Sequence, residues 1–568
     1  MALIDKASLL MVPSTYEAGK LYNVLPSGNR APDNKGGAGY DQTRADFDFD
    51  RGTDHAATRI GSDGLIKKYR ENKLLQSNQF DTTWDDSSVI TLTSGQEDKD
   101  GGTTAWKLAK GAASSFLYQS ITTSGVNTFS LYAKADTTNW IMLQVSGIAS
   151  VRTFFDLSNG VLGSSLSNVI NATIESVGNG WYRCSFTYNG NAGAVRVFPA
   201  DGNNATSGTS GSIFIQSAQL ETGLVATDVL TSGATTAKAG VLVDLPRINF
   251  DANGENGSLL LEPSRANLAQ YSEYFEGWSH KPNTTATSNY TTSPEGVQNA
   301  TRLQFTANGY LYNSNAPSQV SGATYTLSCY AKRNDSGTQS FGFFANGSGA
   351  VDDAMALTSE WKRFDYTYTA SNVSQLGLAG LSGADVSVYG FQVEKDSSYP
   401  TSYIPNNGES GGVTRAADVC SVTGVSDVIG QTEGTIYAEV NVADIESFGT
   451  YSAVRIYDGT SNNEIAFIFY SNGRVQATAF TGGSLVVNIN DGDYGLSSGV
   501  HKIAFAYKAN DYAFYIDGSV VGTDASASVP ATNQIDLFYN NVGSFNHKQA
   551  ALFNERLTNA ELATLTTL

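Results

Sequence analysis

Two stretches of the sequence, Phe129-Ser-Leu-Tyr-Ala-Lys134 and Leu327-Ser-Cys-Tyr-Ala-Lys332, are near copies of each other. A second pair, Trp181-Tyr-Arg-Cys-Ser-Phe-Thr-Tyr188 and Trp361-Lys-Arg-Phe-Asp-Tyr-Thr-Tyr368, follows in the same order. Apolar and polar residues alternate in these stretches with a period of two, which is typical of half-buried β-strands. The chain therefore contains a duplicated β-domain.

Two more blocks recur around these strands. One begins at Asn72 and again at Asn267, and the other is Gln219-Leu-Glu and again Gln392-Val-Glu. Four blocks that repeat in one order indicate two modules with the same fold. We define them as module 1, residues 71–230, and module 2, residues 259–405.

The remaining sequence divides into four segments. Residues 231–258 connect the modules, and residues 406–432 begin with a run rich in Gly and Asn that indicates a linker. Residues 433–568 have a different pattern and form a third, C-terminal domain. Residues 1–70 are rich in Gly, Pro and Asn, which cannot build a core. We expect this N-terminal segment to be extended and to attach the chain to another protein.

The C-terminal domain shows strands, hairpin turns and one helix. Asn472-Gly473 and Asp517-Gly518 suit hairpin turns that need positive φ. Thr558 followed by Glu561 makes a capping box, which predicts a short helix over residues 557–565. The predicted fold class is all-β: tandem β-sandwich domains, an extended N-terminal segment and a short C-terminal helix. The strand-like runs of this domain are residues 435–442, 464–470, 501–508 and 512–516.

Composition supports this fold class and argues against two kinds of partner. The 568 residues include 57 Gly, 29 Tyr and 27 Phe and only 16% charged residues, which favours strands and tight turns over long helices. A net charge of −19 argues against binding to nucleic acid or to anionic lipid. No apolar run approaches the ~20 residues of a membrane span, and the first residues do not resemble a signal peptide. We therefore expect synthesis in a cytoplasm and no membrane insertion.

The three cysteines are far apart and offer neither a disulfide framework nor the spacing of metal ligands. Alignment of the repeats places Cys184 at the position of Phe364 and Cys329 at the position of Leu131. Each thiol stands where the sister module has an apolar side chain, so we interpret both as packing residues.

Motifs for catalysis and metal binding match weakly. Gly408-Glu-Ser-Gly-Gly412 has the spacing of a nucleophile elbow but lies in the linker rather than between a strand and a helix. Asp46-Phe-Asp-Phe-Asp50 resembles the start of a calcium loop, yet Arg51 and Ala57 stand where such a loop needs Gly and Glu, so an edge strand is the better interpretation. The C-terminal domain lacks the closely spaced acids of a glycosidase. We predict no catalytic residues and no enzymatic activity.

Three segments of the C-terminal domain resemble concanavalin A-like and laminin-G-like domains: His501-Lys-Ile-Ala-Phe-Ala-Tyr507, Tyr512-Ala-Phe-Tyr-Ile-Asp-Gly518 and Phe553-Asn-Glu-Arg-Leu-Thr-Asn-Ala-Glu-Leu562. The two modules resemble jelly rolls of the carbohydrate-binding-module kind. The segments Gln-Ser-Asn-Gln-Phe-Asp-Thr-Thr-Trp84 and Glu-Pro-Ser-Arg-Ala-Asn-Leu268 resemble those of bacteriophage tail-fibre or head-decoration proteins.

This resemblance implies a structural protein of the virion surface, a fibre, spike or decoration, that attaches to a host surface or glycan. It also implies that the N-terminal segment binds other virion proteins and that the chain forms a homo-oligomer, such as a trimer. Two alternatives stay open, a decoration protein without a ligand and a polysaccharide depolymerase. Laminin-G-like domains often carry calcium at their rim, so the resemblance leaves calcium open as a cofactor, with no ligand residues assigned.

Sugar-binding sites stack aromatic rings on the apolar faces of pyranose rings and satisfy the hydroxyl groups with polar side chains. The glycan-binding candidates are four tryptophans, Trp140, Trp84, Trp278 and Trp106. Trp84 and Trp278 recur at equivalent positions of the two modules, which favours a core position for both. Trp140 has only Phe341 as a rough counterpart in module 2.

In both modules a tryptophan precedes an arginine by two residues, Trp181 with Arg183 and Trp361 with Arg363. A cation–π contact between the two side chains would explain why the pair recurs.

Overall fold

The computed structural model describes residues 3–15, 23–24, 48–53, 55–87, 89–251, 253–314, 319–345, 347, 349–371, 375–442, 452–490, 495–539 and 543–568. These residues form antiparallel β-sheets, one α-helix, and short 3-10 turns at Leu3–Lys6, Pro13–Thr15 and Phe275–Gly277. The all-β fold class with a short C-terminal helix is therefore confirmed. None of the helices in these described ranges is long and apolar enough to cross a membrane.

Six short strands precede module 1: β1 (Leu9–Met11), β2 (Asn23–Val24), β3 (Asp48–Asp50), β4 (Thr58–Ile60), β5 (Ile66–Lys68) and β6 (Arg70–Asn72). Module 1 is a sandwich of two six-stranded sheets, with strand orders β15-β16-β11-β18-β9-β8 and β14-β13-β12-β17-β10-β7. Its strands are β7 (Asp85–Asp86), β8 (Ile90–Gln96), β9 (Ala105–Lys110), β10 (Leu117–Ser120), β11 (Val126–Ala135), β12 (Trp140–Ser146), β13 (Arg152–Asp156), β14 (Val161–Ser165), β15 (Val169–Gly178), β16 (Trp181–Asn189), β17 (Ala194–Ala200) and β18 (Gly211–Thr222).

Four short strands lie between the sheets of module 1 and those of module 2: β19 (Ala237–Ala239), β20 (Arg247–Asn249), β21 (Ser258–Leu261) and β22 (Arg265–Asn267). Module 2 has sheets of order β23-β24-β31-β26-β29 and β25-β30-β27-β28, the same order as in module 1 without counterparts of β7, β14 and β15. Its strands are β23 (Thr284–Thr291), β24 (Ala300–Phe305), β25 (Gly309–Leu311), β26 (Thr324–Arg333), β27 (Phe341–Phe344), β28 (Asp353–Ala354), β29 (Lys362–Thr369), β30 (Gly377–Gly380) and β31 (Asp385–Lys395).

A buried asparagine closes each module in the same way. The Asn72 side chain donates hydrogen bonds to the carbonyls of Ala218 and Leu230, at 3.0 and 2.8 Å, and so joins β6 to β18 and to the segment after β18. Asn267 is equally buried and makes the corresponding pair of bonds in module 2. The sequence repeat therefore reproduces internal polar contacts as well as strand order.

The interpretation of Cys184 and Cys329 as packing residues is confirmed. Cys184 lies opposite Leu131 in module 1, and Cys329 lies opposite Phe364 at the same place in module 2. Both thiols are fully buried in the module cores, and burial raises the pKa of each thiol.

The C-terminal domain is a sandwich of a nine-stranded and a seven-stranded sheet. The capping box of Thr558 and Glu561 begins its helix as predicted. The elements after module 2 are β32 (Val413–Arg415), β33 (Val419–Thr423), β34 (Glu433–Val442), β35 (Ser452–Tyr457), β36 (Glu464–Phe469), β37 (Val475–Thr481), β38 (Ser484–Ile489), β39 (Gly499–Lys508), β40 (Tyr512–Ile516), β41 (Ser519–Asp524), β42 (Gln534–Tyr539), β43 (Phe545–Phe553) and α1 (Asn559–Thr566).

Strands from distant parts of the chain complete this sandwich. β1 and β21 both pair with β43, β20 pairs with β21, and β3 and β33 extend the other sheet. Leu9, Met11 and Ile248 are accordingly buried in its core. The segments 231–258 and 406–432, which the sequence suggested as connector and linker, thus supply paired strands.

The structure differs from the expectation that residues 1–70 extend away from the rest of the chain. Their described part pairs with strands of the same chain, and Lys6 forms ion pairs with Glu555 and Glu561 at 3.0 and 2.6 Å. The described N-terminal residues therefore lie against the C-terminal domain. Residues 16–22 and 25–47 lie outside the described residues.

The hairpin β4–β5 ties the N-terminal segment to module 2 as well. Ile66 is buried there, and the Lys68 ammonium lies 3.2 Å from Glu273 and 2.8 Å from Glu295. Burial would lower the pKa of Lys68, but the two carboxylates outweigh it and raise that pKa above its ordinary value. The ammonium therefore stays charged in this partly apolar contact.

A buried ionic cluster joins four segments of the chain: Arg51 after β3, Arg247 on β20, Glu262 in module 2, and Arg415 with Asp418 beside β33. Arg247 and Arg415 lie 2.6 and 2.9 Å from Glu262, while Arg51 and Arg247 pair with Asp418. All five side chains are at most 3% exposed. Burial alone would raise the pKa of Glu262, but Arg415 and Arg247 lower it to about 2.

We expect Leu9→Ala to destabilise the C-terminal sandwich by about 2–5 kcal/mol, because the side chain is only 2% exposed and truncation leaves a cavity. Leu485→Ala is the matched control, since Leu485 is 49% exposed in the same domain. Denaturant unfolding of the full chain measures both changes. Equal effects of the two substitutions would show that β1 does not contribute to this core.

We expect Glu262→Gln to cost about 3–5 kcal/mol at pH 7, because it leaves buried Arg415 without its ion-pair partner and removes one of the two carboxylates that pair with Arg247. The carboxylate contributes stability above its unfolded pKa of about 4.3 and loses it as the pH falls towards 2, so the difference from the native chain should shrink over that range. Glu433→Gln, which breaks an exposed pair with Lys508, should cost under about 1 kcal/mol. A pH-independent difference would contradict the assignment.

Candidate functional site

Three of the four tryptophans suggested as glycan-binding residues lie in the module cores. Trp84, Trp106 and Trp278 are 6%, 7% and 2% exposed, and their indole N–H groups donate to backbone carbonyls. Trp84 packs against Phe80, and Trp278 packs against Phe275. These three rings cannot stack on a sugar, so their assignment as site residues is wrong.

Trp140 alone of the four lies outside a core. It is half-buried on the outer face of module 1, by which we mean the side of the sheet β14-β13-β12-β17-β10-β7 turned away from the sandwich core. There it packs with Met142, Phe154 and Phe198. Gly163 on β14 allows this packing, because a Cβ at that position would lie 2.6 Å from the Trp140 ring.

Two rows of side chains cross the outer face of module 1. In the apolar row, the ring of Phe116 lies 4.6 Å from that of Phe198, which is paired with Met142 on the next strand. In the polar row, strand pairing places Tyr118 beside Arg196, and Arg196 beside Gln144. Side chains of alternate residues share one face of a strand, so the two rows lie next to each other.

Arg196 connects the two rows. Its guanidinium lies 4.8 Å from the centroid of the Phe116 ring, and Nη1 lies 3.5 Å from Oε1 of Gln144. A cleft of about 490 Å³ runs along these groups, a volume typical of ligand sites. Its lining combines aromatic rings, a guanidinium, a carboxylate and hydroxyl groups: Phe116, Tyr118, Arg196, Asp86, Ser120 and Ser146.

Module 2 presents aromatic rings at the equivalent positions. Tyr310 and Tyr312 flank Leu311 on β25 as Phe116 and Tyr118 flank Leu117 on β10. The two tyrosine rings are parallel within 6°, with centroids 6.2 Å apart. Exposed His280 lies against both, 5.5 and 4.9 Å away. The polar row is absent here, since Gly377 and Phe344 take the places of Arg196 and Gln144.

Sequence reasoning missed these pairs because it looked for tryptophan. A signal was present, since in each repeat two aromatic residues flank a leucine in the strand that precedes the copied Tyr-Ala-Lys strand. Such i, i+2 spacing places both rings on the side of the strand opposite to the buried leucine.

The expected Trp–Arg contacts are replaced by Tyr–Arg contacts. The guanidinium of Arg183 lies over Tyr132 at 5.7 Å, and that of Arg363 lies over Tyr330 at 5.6 Å. Trp181 is fully buried instead. The contact recurs in both modules and pairs neighbouring strands, which indicates a structural role.

Two carboxylates of the C-terminal domain, Glu464 and Asp536, share one partner. Arg455 reaches Glu464 at 2.9 Å and Asp536 at 3.5 Å, between the rings of Tyr457 and Tyr539. Burial raises the pKa of both carboxyl groups. Glu464 is only 3% exposed, so this pair cannot contact a polysaccharide as the two carboxyl groups of a glycosidase must.

The other motifs have structural roles. Residues 405–412 form a loop of turns held by Asn406, not a strand followed by a helix. β3, which holds Asp48 and Asp50, is an edge strand, as interpreted from the sequence. Within the described ranges, no group of three or more His, Cys, Asp or Glu side chains is arranged to hold a metal ion.

No family model and no curated protein matches the chain. Among solved structures, the binding domain of botulinum neurotoxin DC in complex with rat synaptotagmin II is similar at 12% identity and a TM-score of 0.22, over 26% of this chain and 39% of that chain. A carbohydrate-binding module, the CBM40 of the Ruminococcus gnavus IT-sialidase, is similar at 13% identity and a TM-score of 0.22, over 25% of this chain and 86% of that one. The chain thus spans about two fifths of the toxin domain.

Proposed function

We propose that this chain is a binding protein that attaches to glycans through the outer face of module 1. The observation that carries the proposal is the open cleft where two aromatic rings, Phe116 and Tyr118, lie beside a guanidinium, an amide and a carboxylate. Aromatic rings stack on the apolar side of a pyranose, and the polar row supplies donors and acceptors for its hydroxyl groups.

Two features support a binding role over a merely structural one. Aromatic side chains are costly to leave on a surface, and they recur at the same positions of module 2, as Tyr310 and Tyr312. The rings of Phe116 and Tyr118 also stay half-buried rather than joining the core. A decoration protein without a ligand gives no reason for aromatic pairs at these outward positions.

The resemblance to bacteriophage tail-fibre and head-decoration proteins suggests where this binding takes place. We propose that the chain lies on the surface of a bacteriophage particle and contacts the host surface there. The contact of residues 1–70 with other virion proteins remains a proposal. A homo-oligomeric assembly also stays a proposal.

We expect Tyr118→Ala to weaken glycan binding at least ten-fold, about 1.4 kcal/mol, because it removes a ring from the cleft. A glycan array screened with the full chain identifies the ligand, and titration of that glycan compares the variants. Tyr290→Ala is the matched control, since Tyr290 is 42% exposed and lies on module 2 away from both aromatic pairs. Absence of binding to any glycan, or equal binding by the two variants, would contradict the proposal.

The placement on a particle has its own test. An antibody raised against module 1 should label phage particles in electron microscopy at a regular position on the head, tail or baseplate. Particles of a phage that lacks this gene serve as the control. Particles that carry no label, together with detection of the chain only in the soluble fraction of lysed cells, would contradict the placement but leave the glycan test unaffected.

A further inference from the structure

The polar row on the outer face of module 1 extends one strand beyond the residues that line the cleft. Strand pairing places Arg152 on β13 directly opposite Gln144, which in turn lies directly opposite Arg196 on β17. Residues that lie opposite each other on neighbouring strands share one face of the sheet. The outer face therefore carries two guanidinium groups, one on each side of Gln144.

An aromatic ring and an amide hold each guanidinium group in place. Arg152 lies over the Phe154 ring at 5.9 Å, and its Nη2 lies 3.5 Å from Oδ1 of Asn204. Arg196 is held in the same way, by Phe116 and by a side-chain amide. One terminal nitrogen of each group, Nη1 of Arg152 and Nη2 of Arg196, makes no hydrogen bond within the described residues and is not buried. Both groups can therefore donate hydrogen bonds to a bound molecule.

Neither of these guanidinium groups forms an ion pair with a carboxylate of the described residues. The chain has 54 acidic and 35 basic residues, so carboxylates are plentiful. Arg302 on module 2, by contrast, is paired with Asp385. Two neighbouring cations without a counter-charge favour a ligand that brings a negative charge.

Module 2 shows that the fold does not need these two arginines. Gly377 stands where module 1 has Arg196. The pairing of β27 with β28 places Asp352 where module 1 has Arg152. A glycine and an acidic residue therefore serve in the sister sheet, and the pair of positive charges belongs to module 1.

The carboxylates beside the cleft lie at the other end of the polar row. Asp85 on β7 is opposite Tyr118, so the strand order β7-β10-β17-β12-β13 puts Tyr118 between Asp85 and both arginines. With about 4.8 Å between neighbouring strands, the backbones of Asp85 and Arg196 are about 10 Å apart. Physiological salt largely screens charges beyond about 8 Å, so the two arginines outweigh the net charge of −19 for a group bound beside them.

We propose that the outer face of module 1 binds an acidic saccharide, one that bears a carboxylate or a sulfate group. The sugar ring stacks on Tyr118, its acidic group lies beside Arg196 and Arg152, and hydroxyl groups on its other side donate to Asp85. Guanidinium groups bind such oxyanions through paired N–H groups. This inference rests on the proposed glycan binding by the same face, and it adds Arg152 to the residues that select the glycan.

The test uses the full chain and pairs of glycans that differ only in charge. An array of neutral, uronate-containing, sialylated and sulfated glycans identifies the best ligand. A carboxylated ligand is then compared with its methyl ester, and a sulfated ligand with its desulfated form. Calorimetric titration of both forms compares the native chain with Arg152→Gln and Lys134→Gln. Lys134 lies on β11 in the other sheet of module 1, so its replacement removes the same charge away from this face.

We expect the best ligand to be acidic and its neutral form to bind at least about ten-fold more weakly, because the neutral form lacks charge-assisted hydrogen bonds. Arg152→Gln should weaken binding of the acidic form about ten-fold and leave binding of the neutral form unchanged. Lys134→Gln should change neither.

Three results would overturn the inference and leave the proposed glycan binding intact. They are selection of neutral glycans alone, normal binding of the acidic form by Arg152→Gln, and equal losses of affinity for both forms in that variant. The last result would mean that Arg152 supports the shape of the face rather than recognising a charge. If no glycan on the array binds, the proposed function itself fails, and the inference fails with it.

Discussion

Backbone hydrogen bonds along one edge of β43 determine how this chain is arranged. β43 pairs with β34 on one side, and on the other side with β1 at residues 550–552 and with β21 at residues 545–547. A buried strand edge without these partners would leave N–H and C=O groups unsatisfied. Because β1 and β21 come from far along the chain, their pairing draws the N-terminal segment and the region between the modules onto the C-terminal domain. The ionic cluster around Glu262 forms where those segments meet.

The repeated blocks predicted the two modules well because strand order within a module is encoded locally, by alternation and by copied polar residues such as Asn72 and Asn267. The capping box at Thr558 likewise lies within four residues of sequence. Strands of three or four residues, such as β1, β3 and β20, could not be predicted in the same way. Their sequences are too short to show a period, and their conformation depends on partners hundreds of residues away.

The candidate site was harder to predict than the fold. Alternation in a strand shows which residues share a face, but it does not show which face another element covers. Trp84 and Trp278 carry the largest rings. Their indole N–H groups donate hydrogen bonds to backbone carbonyls inside the modules, so both side chains can be buried without leaving a polar group unsatisfied. The smaller rings of Phe116 and Tyr118 stay outside because the leucine between them occupies the core position.

The pairing of β1 with β43 also has a consequence for the time course of synthesis. About 540 residues separate the two strands, so a ribosome working at about 5–20 residues per second needs roughly 30–100 s between them. Both modules emerge complete in that interval, whereas the sandwich that contains Leu9 and Met11 lacks its central strand until β43 has been translated. This domain therefore completes its core only after both modules have been made, and the apolar side chains of β1 need protection from aggregation in the meantime.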